Sequence, residues 1–142
     1  MKKIAILGST GTIGKTLIRT IKKNKNKIKV VCLSANKNYK LLIRQAKEIN
    51  AKNLIIKDYL SYKKAVYENK NKNKNLKIFN NYQVFKKIFK TKLDYVLSAT
   101  SGLDGLQPTL KIIQYTNSIA IANKESIICG WDLIKKELKK NN

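Results

Sequence analysis

Residues 4–14, with the sequence IAILGSTGTIG, decide the fold of this chain. An apolar run is followed by three glycines spaced three residues apart, and a helical pattern begins near Ile13. A strand, a tight glycine turn and a helix in this order are typical of a site for a dinucleotide pyrophosphate. Glycine tolerates positive φ, which we expect at Gly11, and the helix start offers free N–H groups to an anion. An ordinary strand-to-helix turn is the alternative, because the spacing GxxGxxG is a weaker signal than GxGxxG.

The net charge of +23 over 142 residues is extreme and permits binding to a nucleic acid. However, lysine alternates with asparagine at residues 22–27 and 69–75, and no aromatic residue is interleaved there as a base-stacking platform would need. We interpret these runs as solvated surface loops and expect no specific nucleic-acid partner. The length suits a single domain.

The remaining composition narrows the class of protein further. No apolar run is long enough to span a membrane, and the N-terminus enters a core strand without a signal region, so we expect a cytoplasmic protein that is not secreted. Cys32 and Cys129 lie in apolar runs, which predicts two buried free thiols. The absence of histidine and of any Cys/His cluster argues against a zinc site.

Apolar runs alternate with helical patterns along the whole chain, which indicates a parallel sheet with crossover helices. The predicted fold class is α/β, a Rossmann-like, doubly wound, mostly parallel sheet with helices on both faces. We predict strands at residues 3–7, 28–34, 54–56, 76–79, 95–99 and 118–122. We predict helices at residues 12–23, 39–49, 61–68, 82–89, 106–115 and 125–139, the first of which has Ile13, Leu17, Ile18 and Ile21 on one face. The loops after Leu7, Leu33, Ala99 and Ala122 should share the edge where such sheets bind ligands.

The end of the second strand indicates the kind of dinucleotide. An NAD site usually has a carboxylate there for the ribose 2′-hydroxyl, but residues 34–38 read SANKN. Lys37 would attract a 2′-phosphate and Asn38 could donate a hydrogen bond to it, so NADP is favoured over NAD. The alternative is that Lys37 is one more surface lysine.

Two further loops carry candidate contacts. Residues 100–110 contain two glycines that let the backbone pass close to a flat ligand, although a plain strand-to-helix turn explains them equally well. Residues 122–126, ANKES, follow the last strand, where Asn123 suits a nicotinamide–ribose contact and Lys124 an anionic substrate. Glu125 could face the cofactor or simply complement the dipole of the last helix.

Four segments together, residues 8–14, 34–38, 105–110 and 120–126, resemble the 1-deoxy-D-xylulose 5-phosphate reductoisomerase family, for which the ANKES run is highly specific. The resemblance covers the whole chain but only the N-terminal third of the family's protein. The departures are Thr12, where serine is usual, Asn36, where small residues are common, and Asp104, where alanine is common. None of them removes a group that the cofactor needs.

The resemblance implies an NADPH-dependent oxidoreductase of non-mevalonate isoprenoid biosynthesis. That enzyme rearranges and reduces 1-deoxy-D-xylulose 5-phosphate to 2-C-methyl-D-erythritol 4-phosphate. By resemblance, the pyrophosphate is bound by Thr10, Gly11, Thr12 and Ile13, the adenosine side with its 2′-phosphate by Asn36, Lys37 and Asn38, and the nicotinamide half by Asn123 and Glu125. Lys124 reaches the phosphorylated sugar substrate.

The resemblance also implies what these residues do not supply. The family's magnesium or manganese ligands lie downstream of residue 142, so this chain contains neither metal ligands nor catalytic residues of its own. Residues 1–142 then form an N-terminal NADPH-binding domain without the metal/substrate and C-terminal domains. We expect such a chain to bind cofactor without turnover, and the complete enzyme to be a homodimer.

Two alternatives remain from the sequence. One is another NADP-dependent Rossmann oxidoreductase, or a sugar-nucleotide enzyme, with the same glycine turn, against which the ANKES run argues. The other is a basic nucleic-acid-binding module.

Overall fold

The computed structural model describes residues 1–70 and 75–141. In this part of the chain six strands alternate with six helices, and short 3₁₀ turns at Tyr82–Val84 and Leu103–Gly105 precede the fourth and fifth helices. The strands are β1 Lys2–Leu7, β2 Ile28–Ala35, β3 Asn53–Ile56, β4 Lys77–Phe79, β5 Tyr95–Ser98 and β6 Ile119–Ile121. The helices are α1 Thr12–Lys23, α2 Tyr39–Ile49, α3 Tyr59–Asn69, α4 Phe85–Ile88, α5 Leu106–Ile113 and α6 Lys124–Asn141.

All six strands belong to one parallel sheet in the order β4-β3-β2-β1-β5-β6. The order reverses at β1, which pairs with β2 on one side and with β5 on the other. The predicted α/β, doubly wound, Rossmann-like fold is therefore confirmed. Since every strand runs in the same direction, the loops that follow β1, β2, β5 and β6 leave from one edge, as the sequence predicts.

The apolar strands are explained by burial on both faces of the sheet. Ile4 and Ile6 of β1 pack with α1, α2 and α3 on one face, whereas Ala5 and Leu7 pack on the other face with the aromatic cluster around Phe85. A strand covered on both sides has no polar face, so its sequence reads as a continuous apolar run rather than an alternating one.

Most element boundaries agree with the sequence prediction, and α1 and α2 agree at both ends. The single helix predicted at residues 82–89 is wrong: a 3₁₀ turn comes first and α4 has only four residues. Asn81 accepts a hydrogen bond from the backbone N–H of Gln83, and this local bond closes the tighter turn. The lysine–asparagine run at residues 69–75 lies mostly outside the described residues.

Two residues of predicted apolar segments are exposed. Ile13 is 49% exposed because it lies in the first turn of α1, beyond the end of β1. Cys32 is a buried free thiol as predicted, but Cys129 is exposed. The buried residues of α6, Ser126, Gly130 and Ile134, are four apart and form one face, and Cys129 lies off that face.

Asp94, the residue before β5, is bonded to the start of β1. Its Oδ2 accepts a 2.7 Å hydrogen bond from the backbone N–H of Lys3, and Oδ1 lies 3.3 Å from the ammonium of Lys2. The Lys3 hydrogen bond, with attraction from Lys2, lowers the pKa of Asp94 from its ordinary value of 3.8. A lowered pKa contributes stability above the ordinary value, and this contribution is lost as the pH falls through the folded-state value.

We therefore predict that Asp94→Asn flattens the acid side of the stability profile. Asparagine keeps an oxygen acceptor but has no proton to gain, so the free energy of unfolding should fall less between about pH 5 and about pH 3 than in the wild type. Urea unfolding at both pH values measures the difference. The control is Asp132→Asn in α6, because the Asp132 side chain is exposed and its carboxylate pairs only with Lys135 among the described residues. An acid dependence of Asp94→Asn equal to that of the wild type would contradict the prediction.

Candidate functional site

A cavity of about 400 Å³ lies at the carboxyl ends of the central strands. Its walls come from the loops after β1, β2, β3 and β5 and from the 3₁₀ turn before α4. The lining residues are Gly8, Thr10, Gly11, Ser34, Ala35, Asn36, Asn38, Lys57, Tyr82, Ala99, Thr100, Ser101 and Asp104. We call this cavity the cleft. It lies where a doubly wound sheet binds its ligand, next to the strand at which the order reverses.

The glycines of the turn after β1 have different roles. Gly8 has a φ of +81°, and a Cβ there would lie 2.5 Å from the carbonyl oxygen of Ala99, so only glycine fits. A Cβ at Gly14 would lie 2.5 Å from the carbonyl oxygen of Gly8, so α1 packs directly against the turn. Gly11 has a φ of −75°, which corrects the expected positive φ there, and its Cβ would be 3.4 Å from the nearest atom. A Cβ at Gly11 would therefore lie at ordinary van der Waals distance from the turn, without a clash.

Buried hydrogen bonds hold this turn in place. The backbone N–H groups of Gly8 and Ser9 donate to the carbonyl oxygen of Ser34, at 3.1 and 2.9 Å. The Ser9 hydroxyl donates to Oε1 of Gln45 at 2.8 Å, and Nε2 of Gln45 donates to the Ser9 carbonyl at 2.9 Å. Both side chains are buried, so the turn is attached to β2 and to α2 by bonds that water does not compete for.

The start of α1 is open to an anion. No side chain caps α1, and its first turn contains no acidic residue. The neighbouring helices differ, because Asn38 caps α2 through the N–H of Leu41 and Asp58 caps α3 through the N–H of Ser61. The N–H groups of the first turn of α1, beginning at Thr12, therefore have no side-chain acceptor and carry the positive end of the helix dipole.

The loop after β2 presents amides and cations rather than acids. Asn36 and Asn38 line the cleft, whereas Lys37 is exposed and does not. Asp58, which donates its backbone N–H to the Asn36 carbonyl, is the carboxylate in this neighbourhood. Hydrogen bonds from Ser61 lower the pKa of Asp58, and Lys37 and Lys64 add attraction. The carboxylate is therefore ionised at neutral pH and is hydrogen-bonded to the start of α3.

Asn123 connects the loop after β5 to α6. Its Nδ2 donates to the carbonyl oxygens of Thr100 and, at 2.7 Å, of Gly102, while its Oδ1 accepts from the N–H of Ser126 at 2.9 Å. A Cβ at Gly105 would collide with this amide. The Asn123 side chain is buried and holds the loop in place with all of its polar atoms, so its predicted contact with a nicotinamide ribose stays a prediction.

The structure brings only part of the predicted set into the cleft. Thr10, Gly11, Asn36 and Asn38 line it. The predicted residues outside the lining are Thr12, Ile13 and Lys37, which are exposed, Lys124 and Glu125 in the first turn of α6, and buried Asn123.

Sequence reasoning missed several lining residues, chiefly Lys57 and Tyr82. Lys57 directly follows β3, so the rule used for the other strands would have found it. Tyr82 precedes α4, and no local sequence pattern predicts that it lines the cleft. Its hydroxyl lies 3.4 Å from the Ser34 hydroxyl, and burial raises the pKa of Tyr82, so the phenol is neutral beneath the cleft.

The described residues contain no group of three or more acidic, cysteine or histidine side chains that could hold a metal ion. No helix in the described part of the chain is long and apolar enough to cross a membrane.

We predict that Gln45→Leu lowers the free energy of unfolding by about 1–3 kcal/mol, because the buried hydroxyl and carbonyl of Ser9 lose their partner. Denaturant unfolding measures the change. Gln114→Leu is the matched control, since Gln114 is exposed at the end of α5 and should tolerate the same replacement. A Gln45→Leu protein as stable as the control would show that the Ser9 hydrogen bonds do not hold the turn.

The matching family model and the similar curated proteins indicate one family. Residues 4–130 match the family model described as 1-deoxy-D-xylulose 5-phosphate reductoisomerase. The reductoisomerase of Pelagibacter ubique is 55% identical over 142 residues, covering 99% of this chain and 36% of the relative. The chain thus spans about a third of the length of the curated relatives that it matches.

Two solved structures have folds similar to that of this chain. The reductoisomerase from Zymomonas mobilis in complex with NADPH is similar with a TM-score of 0.87 and 27% identity, covering 99% of this chain and 36% of that one. A DOX-P reductoisomerase in complex with NADPH, fosmidomycin and magnesium is similar with a TM-score of 0.88 and 25% identity, covering 99% and 35%.

Proposed function

The chain belongs to the 1-deoxy-D-xylulose 5-phosphate reductoisomerase family, and from this membership we propose that its cleft binds NADPH. The observation that carries the proposal is the glycine turn between β1 and an uncapped α1, which opens into the cleft at the reversal of strand order. This membership argues against the alternative of an unrelated NADP-dependent or sugar-nucleotide enzyme.

The residues present fit the cofactor. The turn at residues 10–13 would hold the pyrophosphate, because the N–H groups of the first α1 turn have no side-chain cap and Gly11 has no side chain to hinder close approach. The loop with Asn36, Lys37 and Asn38 would bind the adenosine half. The loop after β5 and residues 123–125 would surround the nicotinamide half, where Asn123 acts through the loop position that it fixes.

In the whole enzyme we propose that bound NADPH supplies the hydride that reduces the rearranged substrate. Lys124, exposed in the first turn of α6, would attract the phosphorylated sugar. Magnesium or manganese would be held by residues other than those described here, since these lack a cluster of suitable ligands. The N-terminal domain role, the absence of turnover by this chain, a homodimeric complete enzyme and a cytoplasmic location remain proposals.

We predict that this chain binds NADPH more tightly than NADH. No carboxylate directly follows β2, and the acid nearby, Asp58, is engaged by Ser61. Loss of charge-assisted contacts to the 2′-phosphate should cost about 1.5–3 kcal/mol of binding free energy. Calorimetric titration with both cofactors, repeated at about 0.3 M salt to screen nonspecific attraction to the basic surface, measures the preference. Equal affinities at both salt concentrations would refute it.

We predict that Gly11→Val abolishes NADPH binding and leaves the fold intact. The backbone of Gly11, at φ −75° and ψ 174°, is allowed for valine, and its Cβ position is free of close contacts. The side chain would instead fill the space that the pyrophosphate needs.

Gly14→Val serves as the contrast, because a Cβ there collides with the turn. Gly11→Val should unfold at the wild-type denaturant concentration, whereas Gly14→Val should unfold earlier. A folded Gly11→Val protein that bound NADPH normally would mean that the glycine turn is not the pyrophosphate site.

A further inference from the structure

Lys57 is a cation in the wall of the cleft, on the side where β2 ends. It directly follows β3 and lines the cleft together with Asn36 and Asn38. Its backbone is fixed at both polar groups, because its N–H donates to the Ala35 carbonyl at 3.0 Å and its carbonyl accepts from Nδ2 of Asn80 at 3.1 Å. The side chain therefore leaves from a well-defined point beside the end of β2.

The ammonium of Lys57 has no ion-pair partner among the described residues, where the ion pairs involve Lys2, Lys22 and Lys135. The adjacent acid, Asp58, accepts from the N–H of Ser61 instead. Lys37 differs from Lys57 in both respects, since it lies outside the cleft lining and its charge attracts the Asp58 carboxylate. The cleft thus contains, at its β3 side, an exposed lysine whose backbone is fixed and whose ammonium makes no ion pair among the described residues.

The geometry of the sheet selects the anion that this cation would meet. Neighbouring parallel strands are about 4.8 Å apart, so the four-carbon stem of a lysine after β3 can reach a group at the end of β2. The ribose 2′ position of a dinucleotide lies at the end of β2, whereas the pyrophosphate lies on the turn after β1, one strand farther away.

We propose that Lys57 binds the 2′-phosphate of NADPH from the β3 side of the cleft and is a residue that sets the preference for NADPH over NADH. This inference rests on the proposed NADPH function of the cleft and adds a specificity residue that lies outside the loop at residues 36–38. The phosphate would lie between Lys57 and the amides of Asn36 and Asn38.

The experiment compares dissociation constants for NADPH and NADH in the wild type, Lys57→Met, Lys57→Arg and Lys52→Met, by nucleotide fluorescence at about 0.3 M salt. Lys52 and Lys57 flank β3 at opposite ends, so the two methionine variants remove the same charge from either end of one strand. Lys57→Met should weaken NADPH binding by about 10-fold or more and change NADH binding by less than about 2-fold. Lys57→Arg should keep the preference, and Lys52→Met should match the wild type.

The outcomes separate this inference from the proposed function. If the wild type prefers NADPH and Lys57→Met keeps that preference, the inference fails and the proposed function stands. Equal weakening of both cofactors by Lys57→Met also overturns the inference, because a structural role acts on both alike. A wild type that binds no NADPH defeats the proposed function itself. Circular dichroism checks the fold, and if Lys57→Met does not fold, a Lys57→Arg protein that loses the preference overturns the inference.

Discussion

The hydrogen bonds from the backbone of Gly8 and Ser9 to the Ser34 carbonyl are the constraint on which the rest of the site depends. They bring the end of β1 against the end of β2 and force the chain through a positive φ at Gly8, where the Ala99 carbonyl leaves no room for a side chain. From this point α1 must start close to the sheet, and Gly14 permits the contact. The open first turn of α1 and the position of the cleft both follow from the way in which this turn is attached to β2.

The polar groups that surround the cleft divide into those that build it and those that remain for a ligand. Gln45 is buried and bonded to the hydroxyl and the carbonyl of Ser9, and Asn123 is buried and bonded to backbone groups, so they fix the loops after β1 and β5. Asp58 is satisfied by the start of α3. What remains is the first N–H groups of α1 beside β1 and, on the β2 and β3 side, the amide of Asn36, Nδ2 of Asn38 and the ammonium of Lys57. A cleft with this inventory favours an anionic ligand there, while Asp104 carries negative charge on the β5 side.

The elements that sequence analysis predicted well are those whose evidence is local. The boundaries of α1 and α2 follow from helical periodicity between a glycine or asparagine cap and a lysine- or asparagine-rich end. The buried strands follow from apolar runs, which a sheet covered on both faces requires. The stretch at residues 82–89 failed because its aromatic spacing suits a helix, while Asn81 closes a 3₁₀ turn instead.

The sequence by itself determined the order of strands and helices, the parallel class of the sheet and the glycine turn, because periodicity and glycine spacing are properties of neighbouring residues. The segments at residues 8–14 and 122–126 also identified the family. Only the tertiary structure decided which polar side chains are buried as supports and which face the cleft. The supporting contacts join distant residues, since Ser9 bonds to Gln45 36 residues away and Asn123 to Thr100 23 residues away. The tertiary structure also decided that Lys57 lines the cleft and Lys37 does not, and that Cys32 is buried and Cys129 exposed. These positions are set by the packing of one element on another, which no local sequence pattern predicts.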